Sequence, residues 1–425
     1  MKKRILSTLV CAAMLATAVA VPVAAEEEPV TLTFLMDAET PMEGLQACFD
    51  LAEEKLGIHV ETEIRVGGGE GETIVKTRLA SGEMADFFLY NSGAKVGELS
   101  PEENIADISG EEWASVLDDV FAKSVSAGTE AVYGIPGHAT QLGAFLYNKA
   151  KYEEYGLEVP KTWDEFKANC EALTEAGEIA VIDSYADSWT SQVVYLGDHY
   201  NVLAENPDFP AQFQAGEAKY ADSAAGVASF QKIADCALYH NEDYTATTYN
   251  DAVDMLAYGE GVHWCILSNA VSTIGVNYPD EVNDIGLFGI PGTDADNMGV
   301  TVWHPSALYA NKNSENLDKV LELFEFLVSE EALDAHCTAQ PPSGPYSIKG
   351  YELPEDCYTA IKDAQAYFDE GKTCAALEFE TSVKGASCEQ ICQEVGTGQC
   401  TAEEAAANYD EDCKKMATQL GLNWE

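Results

Sequence analysis

Most groups of residues that could do chemistry in this sequence are incomplete when taken one by one. Twelve cysteines suggest a disulfide or metal framework, but no Cys-x-x-Cys occurs. Cys388, Ile391, Cys392 and Val395 repeat at i, i+3, i+4 and i+7, the spacing of one buried helix face. With Cys400 and Cys413 downstream this is the nearest approach to a zinc cluster, and small core hydrophobes are the expected role. Gly67-Gly68-Gly69-Glu70-Gly71-Glu72 has the glycines of a phosphate loop without its Gly-Lys-Ser/Thr ending, and Glu70 and Glu72 would repel phosphate; a plain loop is expected. Asp294-Ala295-Asp296-Asn297 lacks the full calcium-loop pattern and reads as a turn. No Gly-x-Ser-x-Gly elbow presents a nucleophile, and 73 acidic residues make any carboxylate pair uninformative as a glycosidase signature. Neither catalysis nor a metal or cofactor is expected. What remains is binding chemistry: Tyr90 and Asn91 stand at the end of an apolar strand, and residues 184–189, from Ser184 to Trp189, follow another. Open α/β sheets hold ligands at that edge.

Charge narrows the ligand. The formal charge is −50, and removing Lys2, Lys3 and Arg4 with a leader takes three positive charges away and leaves −53. Nucleic acid and anionic lipid surfaces would be repelled. Arg4, Arg65 and Arg78 are the only arginines, so bidentate capture of phosphate or carboxylate has little to work with. An uncharged ligand is the favoured reading, while the acidity also serves the solubility of a secreted protein.

The elements that must position these residues begin after a leader. Lys2, Lys3 and Arg4 precede an apolar run to about residue 20 and the small-residue site Val23-Ala24-Ala25, which reads as a secretory signal over 1–25. Cys11 follows Val10 inside the run, so a lipid anchor is not expected, and no later stretch approaches the ~20 apolar residues of a membrane span. A length of 425 residues with 46% hydrophobic content suggests two globular domains. Residues 30–35 alternate like a strand, with Asp37 just past its end. A helix is predicted over 41–55, with Leu45, Cys48, Phe49 and Ala52 on one face and Gly57 closing it, and residues 58–66 return as a strand. Strand, helix, strand implies an α/β lobe with a largely parallel sheet. Thr162 with Glu165, and Thr401 with Glu404, read as capping boxes at helix starts.

Several of these segments match a known pattern in order. Tyr133-Gly134-Ile135-Pro136, then Tyr147-Asn148-Lys149, then Pro160-Lys161-Thr162-Trp163-Asp164-Glu165-Phe166 resemble the crossover segment of extracellular solute-binding proteins of family 1, the sugar-capturing receptors of ABC importers. Leu79-Ala80-Ser81-Gly82-Glu83-Met84-Ala85-Asp86 resembles the family's Ala-Ser-Gly-x-x-Pro-Asp segment, with Ala85 where proline is usual. The run from Tyr249 to Trp264, the run from Ile285 to Gly292, and Gly398-Gln399-Cys400-Thr401-Ala402-Glu403-Glu404-Ala405 are similar to later family segments. The resemblance touches segments from about 30 to 422, and 195–245 carries no matching motif.

The resemblance implies a two-lobed α/β periplasmic-binding-protein fold of type II, with hinge crossings near 140, 300 and 345. One lobe would hold 26–140 plus 301–345, the other 141–300 plus 346–425. It implies a monomer at the periplasm or cell surface that captures a neutral mono- or oligosaccharide and hands it to a membrane permease. It also implies site roles: Tyr90 contacting sugar, Gln141 where relatives hold a carboxylate, Trp264 where an indole stacks on a ring, and Asp37 at an acidic position after the first strand. An amide both donates and accepts, so Gln141 argues against copying maltose as the ligand. His138 beside the first crossing, Asn91, Ser184 and Trp189 after strands, and Trp303 and His304 near the recrossing complete the candidates, each with packing or turn formation as its alternative. The alternatives for function are another small solute, such as a polyamine, peptide or metal chelate, and a secreted glycan-acting enzyme.

Overall fold

The structure is a computed structural model that describes residues 30–424; the leader, Cys11 and the polar lead 26–29 lie outside the described residues. Strand β1 (Val30–Asp37) buries Leu32, Phe34, Leu35 and Met36 and runs parallel to β2 (Ile58–Arg65), in register from Val30 opposite Ile58 to Asp37 opposite Arg65. The helix between them, Glu43–Leu56, turns Leu45, Cys48, Phe49 and Ala52 inward and stops at Gly57, whose φ of 67° is left-handed.

The glycine stretch departs from the sequence reading. Instead of a loop over 67–72, a helix begins at once, Gly68–Ser81. A Cβ on Gly71 would fall 2.0 Å from the Val66 carbonyl oxygen and 2.3 Å from Arg65 Nη1. Glycine here lets the first helical turn press onto the end of β2, so the glycines serve close packing.

The remaining strands are β3 (Phe87–Asn91), β4 (Gly134–Pro136), β5 (Gln141–Asn148), β6 (Ile179–Val181), β7 (Gly261–Leu267), β8 (Ile285–Phe288), β9 (Val300–Trp303), β10 (Ser306–Ala310) and β11 (Thr373–Ala375). They form two sheets. The first has the order β2-β1-β3-β10-β4, parallel except that β10 runs against β3 and β4. Asp86 ties it together at the edge away from the strand ends: its carboxylate accepts from Thr33 N at 2.7 Å, Thr33 Oγ1 at 2.9 Å and Ser314 Oγ at 2.5 Å. Burial disfavours that charge, and the donors Ser314, Thr33 and Asn316 outweigh it, holding the carboxyl below its ordinary pKa. The second sheet has the order β11-β9-β5-β7-β6, with β8 also alongside β5. It is mixed, because β5 runs against β7, β8 and β9.

Each sheet anchors its own apolar core. One core takes residues from Leu32 to Ala139 and from Ala307 to Tyr351; the other takes Leu142 to Val302 and Cys357 to Trp424. These bounds differ from the sequence reading in two places. Strand β9, divided by a boundary at 301, packs wholly with the second lobe, where Thr301 Oγ1 donates to the Gly197 carbonyl at 2.7 Å. The third crossing falls at 352–356 instead of 345–346, because Tyr346, Ile348 and Tyr351 bury against the first core. Residues 343–345 nevertheless lie against the first crossing: Thr140 N and Oγ1 donate to the Pro345 carbonyl at 2.9 and 2.7 Å, and Ser343 Oγ donates to the Thr140 carbonyl at 3.1 Å. Both expected capping boxes form, at Thr162 with Glu165 and Thr401 with Glu404.

Candidate functional site

The ends of β1, β2 and β3 and the start of β10 share one edge of the first sheet, while the start of β5 and the ends of β7 and β9 share one edge of the second. Between those edges, beside the crossings, lies a cavity of about 770 Å³ whose lining comes from both lobes. That volume is in the range of small-molecule sites.

Asp37 sits at the end of β1, where its Oδ1 accepts from Glu39 N at 3.0 Å and Thr40 N at 2.9 Å. Thr40 Oγ1 lies 3.0 Å from both carboxylate oxygens, and Oδ2 is 3.9 Å from Arg65 Nη2. Arg65 stands opposite Asp37 in the strand register, is 7% exposed, and is held by the Val66 carbonyl at 3.1 Å and the Leu89 carbonyl at 3.3 Å. Its Nε has no partner. Tyr90, at the end of β3, packs its ring in the first core and keeps a buried hydroxyl without a partner. Burial, then the carboxylates of Glu72 and Glu98, push the Tyr90 pKa up, so the group stays a neutral O–H donor.

His138 lines the cavity from the first crossing, with both ring nitrogens buried and unpartnered. Burial, then the neighbouring His336, lowers its pKa to about 4, with Asp37 pulling the other way. A neutral imidazole offers one donor and one acceptor. Asn91 and Gln141 line the same space. From the second lobe, Asn269 at the start of the helix Asn269–Asn277 presents a buried Oδ1 without a partner, and Ser272 lies one turn on.

Among the described residues, ten buried side-chain atoms lack a hydrogen-bond partner, and five of them belong to Arg65, Tyr90, His138 and Asn269 on this cavity. A buried polar atom left unpaired costs about 1–3 kcal/mol, so a cluster of them marks a place built to meet a polar guest. Two other cavities, of about 420 Å³ near Lys123 and Glu380 and about 610 Å³ near Trp163 and Lys232, have no such atom on their lining residues.

Five residues singled out in the sequence lie outside this lining. Trp264 is mid-strand in β7, opposite Leu146, and only 1% exposed; its ring meets Tyr249 inside the second core. Ser184 and Thr190 bond to each other in a buried turn, with Ser184 Oγ to Thr190 Oγ1 at 3.2 Å. Trp189 packs its ring near Tyr249, 5.7 Å between centroids. Trp303 covers Gly143 and donates from Nε1 to Glu378 at 2.6 Å. His304 is buried between Ser124, 3.3 Å from its Nδ1, and Ser347, 3.1 Å from its Nε2, and so holds the recrossing segment in place. Conversely, Arg65, Asn269, Ser272 and Ser343 line the cavity without having been singled out for it. Only the parallel register of β1 and β2 brings Arg65 to Asp37, and Asn269 is the second residue past the end of β7.

A family model described as bacterial extracellular solute-binding protein matches residues 37–334. The multiple sugar-binding protein of Streptococcus mutans is 23% identical over 309 residues, covering 71% of this chain and 71% of its own length. RafE from Streptococcus pneumoniae, solved in its apo form, aligns with a TM-score of 0.75 at 19% identity, over 92% of this chain and 98% of its own. The sugar transporter BL01359 from Bacillus licheniformis, solved in complex with stachyose, aligns with a TM-score of 0.63 at 17% identity, over 91% and 100%. The two-lobed α/β architecture is common to these structures and this one.

Proposed function

The chain belongs to the bacterial extracellular solute-binding proteins, and from that premise we propose that it captures a neutral mono- or oligosaccharide in the cavity between its lobes and delivers it to the membrane permease of an ABC importer. The observation that carries this reading is the clustering of buried, unpaired polar atoms on Arg65, Tyr90, His138 and Asn269, four residues that line a cavity walled by both lobes. Together they offer fixed donors and acceptors of the kind a ring of hydroxyls satisfies. Asp37, Asn91 and Gln141 add to that set. Of the side chains named above on the cavity, only Tyr90 and His138 carry rings, so hydrogen bonding outweighs stacking here.

Charge argues against an anionic guest. The single guanidinium of Arg65 already faces Asp37 and two backbone carbonyls, and Glu39 and Glu72 line the same space, so an anion would meet net repulsion. Neutral hydrogen bonds at about 1 kcal/mol each, and those to charged groups at about 1.5–3, reach the roughly −8 kcal/mol of micromolar binding with a handful of contacts. No covalent step is required, and the protein acts as a monomer outside the cytoplasmic membrane. Among the described residues, no helix is long and apolar enough to cross a membrane.

The test is a thermal-shift screen with stachyose, raffinose, shorter neutral sugars, spermidine and a uronic acid. A neutral sugar that raises the midpoint in proportion to the logarithm of its concentration supports the proposal. A shift from spermidine or the uronic acid with none from any neutral sugar would overturn it.

A further inference from the structure

Eleven free cysteines lie among the described residues, and most are isolated packing groups. Cys48 donates its S–H to the Ala332 carbonyl, 3.2 Å away, and Cys374 sits 3.7 Å from Thr301 Oγ1. Cys388 and Cys392 share one face of the helix Cys388–Gly396. Side chains four apart on a helix have Cβ atoms roughly 5–6 Å apart, beyond the ~3.5–4.5 Å that a disulfide spans.

Cys337 and Cys357 are placed differently. Cys337 lies near the end of the helix Glu330–Ala339 and packs on the first core; Cys357 closes a turn onto the Pro354 carbonyl at 3.0 Å and belongs to the second core. Each thiol is the largest influence on the ionisation of the other, which places the two side chains side by side. Both open onto a cavity of about 240 Å³, walled also by Pro341, Pro342 and Pro354. We propose that Cys337 and Cys357 are oxidised to a disulfide that ties the two lobes together across the third crossing.

The exchange needs an external disulfide, for which oxidised glutathione serves. The neighbouring Cys337 holds the Cys357 thiol below its ordinary pKa, and Cys357 attacks as the thiolate. Its sulfur bonds to one glutathione sulfur and expels the other as a thiolate. Cys337 then displaces the remaining glutathione from Cys357. The two cysteine thiols lose two protons and two electrons, and one glutathione disulfide becomes two glutathione thiols. The new bond closes the loop 337–357, which carries Pro341 and Ser343 on the interlobe cavity and Pro345 against Thr140. Oxidation would therefore brace a wall of the proposed site, whatever ligand it takes.

The experiment treats the full chain with oxidised glutathione, blocks remaining thiols under denaturing conditions, and maps unreduced tryptic peptides by mass spectrometry. The expected product is the Cys337 peptide joined to the Cys357 peptide, lighter by two hydrogens than the pair. Recovering both as separately blocked peptides, or either joined to another cysteine, would overturn the proposal. Cys337→Ser and Cys357→Ser should each leave the remaining partner blockable. The thermal midpoint of the oxidised protein should fall on adding reductant; a midpoint indifferent to reductant would remove the tether.

Discussion

Tyr90 separates binding from folding at a single atom. Its ring fills the first core at the cavity wall while its buried hydroxyl is unpaired, so Tyr90→Phe removes the polar atom and keeps the packing. The unliganded melting temperature should hold or rise slightly, and sugar affinity by calorimetry should fall about fivefold, the size of one neutral hydrogen bond of about 1 kcal/mol. Unchanged affinity would take Tyr90 out of the site. Trp264 should behave in the opposite way: with its indole buried against Tyr249, Trp264→Ala should cost about 3–5 kcal/mol in urea unfolding, a loss of core packing. The contrast shows what was legible in the sequence. Asp37, Tyr90 and Asn91 come together because parallel strands send their carboxyl ends to one edge, which order along the chain reveals. Strand β7 is buried on both faces, so it lacks the alternation that separates an inward tryptophan from a ligand-facing one, and the residues that reach the cavity lie just beyond its end. Arg65 needed the register of β1 against β2, a tertiary fact with no local signature.

At the scale of elements, the crossings carry the energetics that matter for motion, and His304 is their most sensitive member. Its ring lies between the helix Asp119–Ser124, through Ser124, and the returning segment, through Ser347, and meets Phe121 edge-on at 5.3 Å. Burial lowers its pKa from 6.5 to about 3, and likewise lowers those of His263 and His336 to about 4. The folded values lie below the unfolded one, so the unfolded chain binds more protons as pH drops. This contribution is complete above about pH 6.5 and is lost as pH falls through 4 toward 3. The acidic surface works against it, because a formal charge of −50 repels itself less as carboxylates protonate. A variant isolates the histidine: His304→Gln, which keeps hydrogen-bonding capacity between the two serines, should lose less stability than the wild type between pH 7 and pH 5 in thermal scans. Equal losses would remove His304 from the pH response. Helices were legible where caps announce them, as at Thr162 and Thr401, whereas the helix over the glycines was not, because close packing against Val66 and Arg65 decides it.

At the scale of the whole molecule, two separate cores are joined by three crossings. Outside the cavity, Lys123 pairs with Glu380 across the lobes, and Gly93 sits close against Phe379. Lys123 is 72% exposed on its side chain while Glu380 is only 10% exposed, so this contact reaches from the surface of one lobe to a largely buried carboxylate of the other. With the third crossing untied, what bridges the lobes at the cavity adds to these contacts in setting their relative position. Tyr90 and Asp37 stand on one side, Asn269 and Ser272 on the other, and a sugar that bonds both sides binds the closed arrangement more tightly than the open one. A ligand shifts a two-state equilibrium only by that difference in affinity, so each bridging contact is worth part of the closure. Small-angle scattering at saturating sugar should show a smaller radius of gyration than the unliganded protein. Asn269→Ala removes an acceptor from the second-lobe wall alone, so it should weaken binding and, even when saturated, leave a larger share of molecules open. A variant that binds more weakly yet closes as fully as the wild type would show that Asn269 contributes equally to both states, and the work of closure would then rest on Gln141 at the crossing.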